Sequence, residues 1–168
     1  MADEVSRGTK CFSCSSGKDY NGVFPRGFID WVKQMGWWRE ERCYLCSGTI
    51  QDGFTVDIRP DRNPTLVADA TNTGLEPATF SWVMIDPPYS AELAERLYGT
   101  GKYYYSINTF VKEAERLTKN GGLILTLSYE IPKIPKGTKL LAVWGIYTVP
   151  ICSYMRCFTV FKKGDSDG

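Results

Sequence analysis

The stretch VMIDPPYS, Val83 to Ser90, sets an acid, two prolines and a tyrosine directly behind a short apolar run. Proline has no N–H to give to a sheet ladder, so a strand that reaches Pro87 and Pro88 stops there. The two rings also fix two successive φ angles, and Asp86, which precedes a proline, is driven into extended geometry. FSWVMID (80–86) is therefore read as a buried strand that ends on a stiff rim. That rim carries the Asp86 carboxylate, the Pro87 carbonyl and the Tyr89 ring. A plain rigid loop has the same composition, and the neighbouring segments must choose between the two.

Three more runs of the same kind precede it: RCYLCSG (42–48), GFTVDI (53–58) and PTLVADA (64–70). Of the four, three carry an acid at or near their end: Asp57, Asp69 and Asp86. Apolar runs that repeatedly finish in a carboxylate point to parallel buried strands with a functional rim at their carboxyl ends. Downstream, SAELAERLYG (90–99) reads as a helix with Ser90 as N-cap, Leu93 and Leu97 on one face and Gly99 as its stop. TFVKEAERLTKNGG (109–122) is a stronger helix, with Phe110, Ala114 and Leu117 inward and Gly121 ending it. GLILTLS, KLLAVWGIYTV and RCFTVFKK follow as strands. Upstream, PRGFIDWVKQMGWW predicts a helix over roughly 26–38 with Phe28, Trp31, Val32, Met35 and Trp38 at helical spacing. Residues 1–20 are rich in Gly, Ser and Lys and read as loosely ordered. The fold class is α/β, a mostly parallel sheet with one late antiparallel strand.

The size, 168 residues, suits one domain with its own core. We divide the chain into an N-terminal extension with one aromatic helix (1–40), a minimal α/β domain (41–163) and a polar tail (164–168). A net charge of +1 gives no global field that announces a nucleic-acid or membrane partner. No apolar run approaches the roughly 20 residues of a membrane span, and the start MADEVSRGTK lacks a signal-peptide core. A cytoplasmic location with reduced cysteines is the expectation. Histidine is absent, which excludes Ser–His and Cys–His nucleophile pairs and every His-containing metal site.

Two acceptors beside a flat ring suit an aromatic amine: each amine hydrogen finds an oxygen while the ring plane packs on tyrosine. With LCSG, VDIRP and VADA before it, the DPPY of residues 86–89 resembles the motif of the S-adenosylmethionine-dependent amino-methyltransferases that modify exocyclic base amines. The resemblance covers roughly residues 43 to 162. It implies a class I methyltransferase (Rossmann-like) fold and S-adenosylmethionine as cofactor. It further implies that Asp86 and the Pro87 carbonyl, with Pro88 stiffening the turn, hold the target amine, and that Tyr89 stacks on a flipped base. Cys46, Ser47 and Gly48 stand where the family has its glycine-rich turn beside the methionine moiety. Asp57 stands where an acid bonds the ribose, and Asp69 with Ala70 where the adenine is held. The implied substrate is nucleic acid, most simply adenine N6 in DNA. An RNA base, or a catalytically idle or zinc-binding partner subunit, is the alternative.

The chain also departs from the family. Only SGTIQDG separates the first two strands and only IRPDRNPT the next two, so the helices expected there cannot fit. The bared sheet face needs a cover, either the aromatic helix or a second subunit. No target-recognition domain is visible, which leaves a homodimer or partner subunit to supply one. The loop YGTGKYYYSIN, with Lys102 and Tyr104, has a composition suited to stacking single-stranded bases or to packing on the sheet edge. CFSC (11–14) and CYLC (43–46) imitate a zinc pattern, but residues three apart on a strand face opposite ways. Buried free thiols and no metal are the expectation.

Overall fold

The computed structural model describes residues 4–13, 24–99, 101, 105–149 and 154–164. In chain order the elements are β1 (Ser6–Ser13), α1 (Phe28–Gln34), β2 (Arg42–Leu45), β3 (Phe54–Asp57), β4 (Leu66–Val67) and β5 (Phe80–Ile85). Then come α2 (Ala91–Tyr98), α3 (Ile107–Leu117), β6 (Thr118–Ser128), β7 (Thr138–Val149) and β8 (Arg156–Lys163). All the strands join one sheet in the order β4-β3-β2-β5-β6-β8-β7-β1. Only β8 runs antiparallel to its neighbours, β6 and β7. The chain therefore steps outward from β2 through β3 to β4, then returns to β5 on the other side of β2. In open α/β sheets such a reversal opens a crevice at the carboxyl ends of the two central strands.

Alternation along the central strands divides the core in two. Tyr44, Trp82, Met84, Leu123, Leu125 and Leu127 face α1, packed with Phe28, Trp31 and Val32. Cys43, Leu45, Val83, Ile85 and Ile124 face the other way, onto Phe110, Val111, Ala114 and Leu117 of α3. The α1 face is aromatic throughout, with Phe28 against Phe158 and Trp31 against Trp144, each at 5.3 Å between ring centres. Buried on this face, the Trp82 indole N–H donates to the Trp37 carbonyl at 2.7 Å and ties the end of the α1 segment to β5.

Helices are indeed missing from the first half of the sheet. Residues 46–53 carry β2 into β3 without one, and only a single 3-10 turn, Pro60–Arg62, lies between β3 and β4. Short strands make this possible. A four-residue strand rises about 13 Å, and eight linking residues reach that far back with ease. The link reverses through positive φ angles at Cys46, Gly48 and Gly53.

Several expectations are corrected. The aromatic helix α1 reaches only the inner part of the first half, over Tyr44 of β2 and Ile50 of the following link, besides the centre and late half of the sheet. Val67 of the two-residue β4 stays half exposed. α1 ends at Gln34, because Gly36 turns left-handed at φ +76°; Trp37 and Trp38 belong to the following loop. α3 ends at Leu117, four residues before Gly121, since Thr118 is already extended and pairs with Phe80 of β5. α2 keeps its expected limits: the Ser90 hydroxyl accepts the Leu93 N–H at 3.0 Å, and Gly99 closes the helix at φ +65°. Residues 6–13, read as loosely ordered, form the edge strand β1 beside β7. Gly8 lets the Trp144 ring lie flat on that edge, where an added methyl group would stand 2.8 Å from it. Cys11 lies on the open face of this strand and is exposed rather than buried.

Glu113 of α3 anchors the loop that follows β4. Its buried Oε1 accepts the Thr73 N–H at 2.9 Å and the Thr73 hydroxyl at 2.6 Å, and both carboxylate oxygens accept from Arg116. Burial alone pushes this carboxyl up, but the bonds from Arg116 and Thr73 outweigh it and hold it at about 2. A carboxylate depressed in the folded state stabilises the fold above its unfolded value, near 4.5. That stability is lost as pH falls from there through about 2. Glu113→Gln is expected to cost about 2 kcal/mol at pH 7 and to flatten the acid limb, read by urea unfolding across pH 2–7.

Candidate active site at the carboxyl rim

The pairing of β2 with β5 sets Leu45 opposite Ile85, so the two chains leave the sheet side by side. On the β2 side the backbone enters the left-handed region at Cys46 (φ +59°) and again at Gly48 (φ +54°). Cys46 thus adopts a conformation that glycine takes without strain, at a cost of about 1 kcal/mol. On the β5 side the Asp86 N–H still reaches the Leu45 carbonyl at a long 3.5 Å before the prolines end the ladder.

The three strand-end acids converge on Cys46. Burial pushes its thiol well up, and the negative charges of Asp57, Asp86 and Asp69 push it further. Each of the three carboxylates has its own anchor. Asp57 accepts the Gly48 N–H at 2.8 Å on one oxygen and the Arg59 N–H at 2.9 Å on the other, locking the link to the end of β3. Asp69 accepts the N–H and hydroxyl of Thr71 on Oδ1 and the Tyr105 hydroxyl on Oδ2 at 3.1 Å. A carboxylate offers about four lone-pair positions, so Asp57 retains capacity for a ligand's hydroxyls. Ala70 beside Asp69 is buried, as is Ser47, whose Oγ has no hydrogen-bond partner among the described residues.

Asp86 accepts the Tyr89 hydroxyl at 2.8 Å on Oδ1, and that same hydroxyl accepts from Arg156 Nη1 at 3.2 Å. Burial raises the Asp86 carboxyl to about 6, against the opposing pull of Arg156 and Tyr89. Burial and the Asp86 charge push the Tyr89 phenol well above its ordinary range, so it remains a donor. The Tyr89 ring is stacked on Tyr129, with centres 4.4 Å apart and planes 28° from parallel; Tyr154 lies 5.8 Å beyond Tyr129. Pro87, Pro88, Tyr89, Tyr105, Tyr129 and Glu130 line a narrow, half-open cleft next to the Asp86 turn. Its rings offer flat faces on which an amine-bearing ring can stack.

The structure thus brings Cys46, Ser47, Gly48, Asp57, Asp69, Ala70 and the Asp86–Tyr89 turn to one rim. Lys102 and Tyr104 lie outside the described residues, as do Cys14 and Cys152. Among the described residues no three acids or cysteines are arranged to hold a metal ion. Cys43 is fully buried under α3, its thiol pushed up to about 12 by burial and by the charge of Glu113. Sequence reasoning singled out the YYY run that contains Tyr105 but not Tyr105 itself, and missed Tyr129 and Arg156. Tyr129 follows an apolar strand directly and was findable by the same strand-end signal that found Asp86. Arg156 was not: β8 runs antiparallel, so its first residue reaches the rim.

At the level of sequence, no family model and no curated protein matches the chain. Solved structures do. The Escherichia coli "putative methyltransferase yhhF" is similar over 89% of this chain and 97% of its own, with a TM-score of 0.53 at 10% identity. The Haemophilus influenzae "putative methylase HI0767" gives 0.50 at 10% identity, over 83% of this chain and 95% of its own. TrmN from Thermus thermophilus gives 0.51 at 15% identity over 80% of this chain, which spans 47% of TrmN. The fold is that of the class I methyltransferases. The expected mostly parallel sheet with a late antiparallel strand is the one observed. No described helix is long and apolar enough to cross a membrane.

Because Asp57 bridges two backbone N–H groups, it carries structure whether or not a ligand binds. Asp57→Asn turns an amide N–H towards one of those donors and is expected to cost about 1–3 kcal/mol of stability without any ligand present, measured by denaturant unfolding.

Proposed function

We propose that this chain is a cytoplasmic, S-adenosylmethionine-dependent methyltransferase that acts on an exocyclic base amine, with adenine N6 in DNA as its first candidate. The observation that carries the reading is the stiff Asp86–Pro87–Pro88–Tyr89 turn at the chain reversal, beside the three acids gathered at Cys46. S-Adenosylmethionine supplies an electrophilic methyl group. The Cys46–Gly48 turn would lie along its methionine part, Asp57 would accept its ribose hydroxyls, and Asp69 with Ala70 would meet its adenine. The buried Ser47 Oγ, without a partner among the described residues, and the spare lone pairs on Asp57 fit such a ligand.

The amine is held by two acceptors, one Asp86 oxygen and the Pro87 carbonyl. Both its hydrogens are then occupied, and its lone pair is directed away from them. The site needs no histidine, because positioning and polarisation supply the catalysis. Asp86 must be a carboxylate for the oxygen opposite the Tyr89 bond to accept without a proton of its own, and Pro87 cannot turn donor. Tyr129 covers one face of Tyr89, so a base that stacks on that face must displace it. Target recognition along the strand falls to a second copy or a partner subunit.

Calorimetric titration with S-adenosylmethionine tests the cofactor half: absence of binding at millimolar cofactor sinks the enzyme reading. Asp86→Ala should lower transfer by at least about 10²–10³-fold while cofactor affinity changes little. For the wild type, transfer should fall tenfold per pH unit below about 6, where Asp86 takes up its proton. Asp86→Asn keeps an acceptor and should erase that break. Product found in RNA digests and not in DNA digests would reassign the polymer.

A further inference from the structure

Arg156, Tyr89 and Asp86 form a hydrogen-bond chain whose direction is fixed by chemistry. Arginine is always protonated and only donates. At 3.2 Å from Arg156 Nη1, the Tyr89 oxygen is therefore an acceptor, and its own proton points to Asp86 Oδ1 at 2.8 Å. A neutral Asp86 would still accept the Tyr89 proton on Oδ1, but its own proton would occupy Oδ2. Only the carboxylate keeps Oδ1 engaged and Oδ2 open as an acceptor. Stacking alone does not need the Tyr89 hydroxyl, because a phenylalanine ring stacks equally well.

The surroundings make such support necessary. Asp86 lies at the end of β5 with the Cys46 thiol beside it, and Asp57 and Asp69 at the ends of β3 and β4 share the Cys46 surroundings. Burial opposes a charge on Asp86. Among the groups that act on it, Arg156, brought to the rim by the antiparallel β8, is the cation.

We propose that Arg156 is a positioning residue that fixes the charge state and orientation of Asp86 through the Tyr89 hydroxyl, leaving one carboxylate oxygen for the ligand's amine. For catalysis this rests on the methyltransferase reading; the chain itself does not. Removing either link leaves the part-buried carboxylate less stabilised, and its protonation midpoint rises.

The test is a carbon-13 NMR titration of the Asp86 carboxyl in the full chain without substrates, for wild type, Tyr89→Phe and Arg156→Gln. The expected midpoint is about 6 in the wild type. It should rise by about one unit or more in each variant, with Arg156→Lys between. Tyr89→Phe keeps the ring and its stack on Tyr129, which guards against loss of the fold. An unmoved midpoint in Tyr89→Phe overturns the proposal, even if Arg156→Gln shifts, because the charge then acts through space. In methyl-transfer assays the acid limb should move by the same amount, with kcat at neutral pH reduced and the KM for cofactor unchanged. Shifted midpoints with no transfer in any protein would uphold the chain and refute the enzyme reading.

Discussion

The parallel pairing of β2 with β5 is the constraint on which the site depends. Four residue pairs, from Arg42 with Trp82 to Leu45 with Ile85, join two strands that are distant in sequence. Because the chain goes outward from one side of β2 and comes back on the other, the two strand ends face no covering crossover. The turn at Cys46 and the turn at Asp86 then emerge together. Trp82 locks this arrangement from the α1 side by its bond to Trp37, and Cys43, Val83 and Ile85 lock it from the α3 side. A slip of one residue between β2 and β5 would move every one of these side chains to the wrong face.

Three acids gathered at one rim need local partners to hold their charges. The structure supplies them in three ways. Asp57 takes backbone N–H groups from both of its flanks, Asp69 takes a hydroxyl and an N–H from its own turn together with Tyr105, and Asp86 takes Tyr89 backed by Arg156. The first two solutions are built from nearby backbone or side chains. The third needs a strand some 70 residues further along the chain, reaching the rim in the opposite direction.

That difference explains how much was legible in the sequence. Asp57, Asp69 and Asp86 could be read because each closes an apolar run, a signal carried within a few residues. The missing first helices were legible from loop length alone. The strand β1 was not: SRGTKCFS has little β character, and its pairing with β7 comes from an edge more than 130 residues away. The early ends of α1 and α3 were misread for a related reason. Helical spacing continues past Gln34 and Leu117, but Gly36 turns the chain left-handed and Thr118 is claimed by the sheet. Tyr129 and Arg156 reach the site only through tertiary placement.

The aromatic residues are sorted by side of the sheet. All five tryptophans, at positions 31, 37, 38, 82 and 144, lie in or against the α1 cluster, whereas the aromatic rings lining the rim cleft are tyrosines. The protein therefore contains two separate reporters. Indole emission follows the packing of the α1 face, where all the tryptophans lie. Resolved ring-current shifts of Tyr89, Tyr105 and Tyr129 follow the cleft. Loss of the body of the protein and rearrangement of its site can be watched independently in the unlabelled chain.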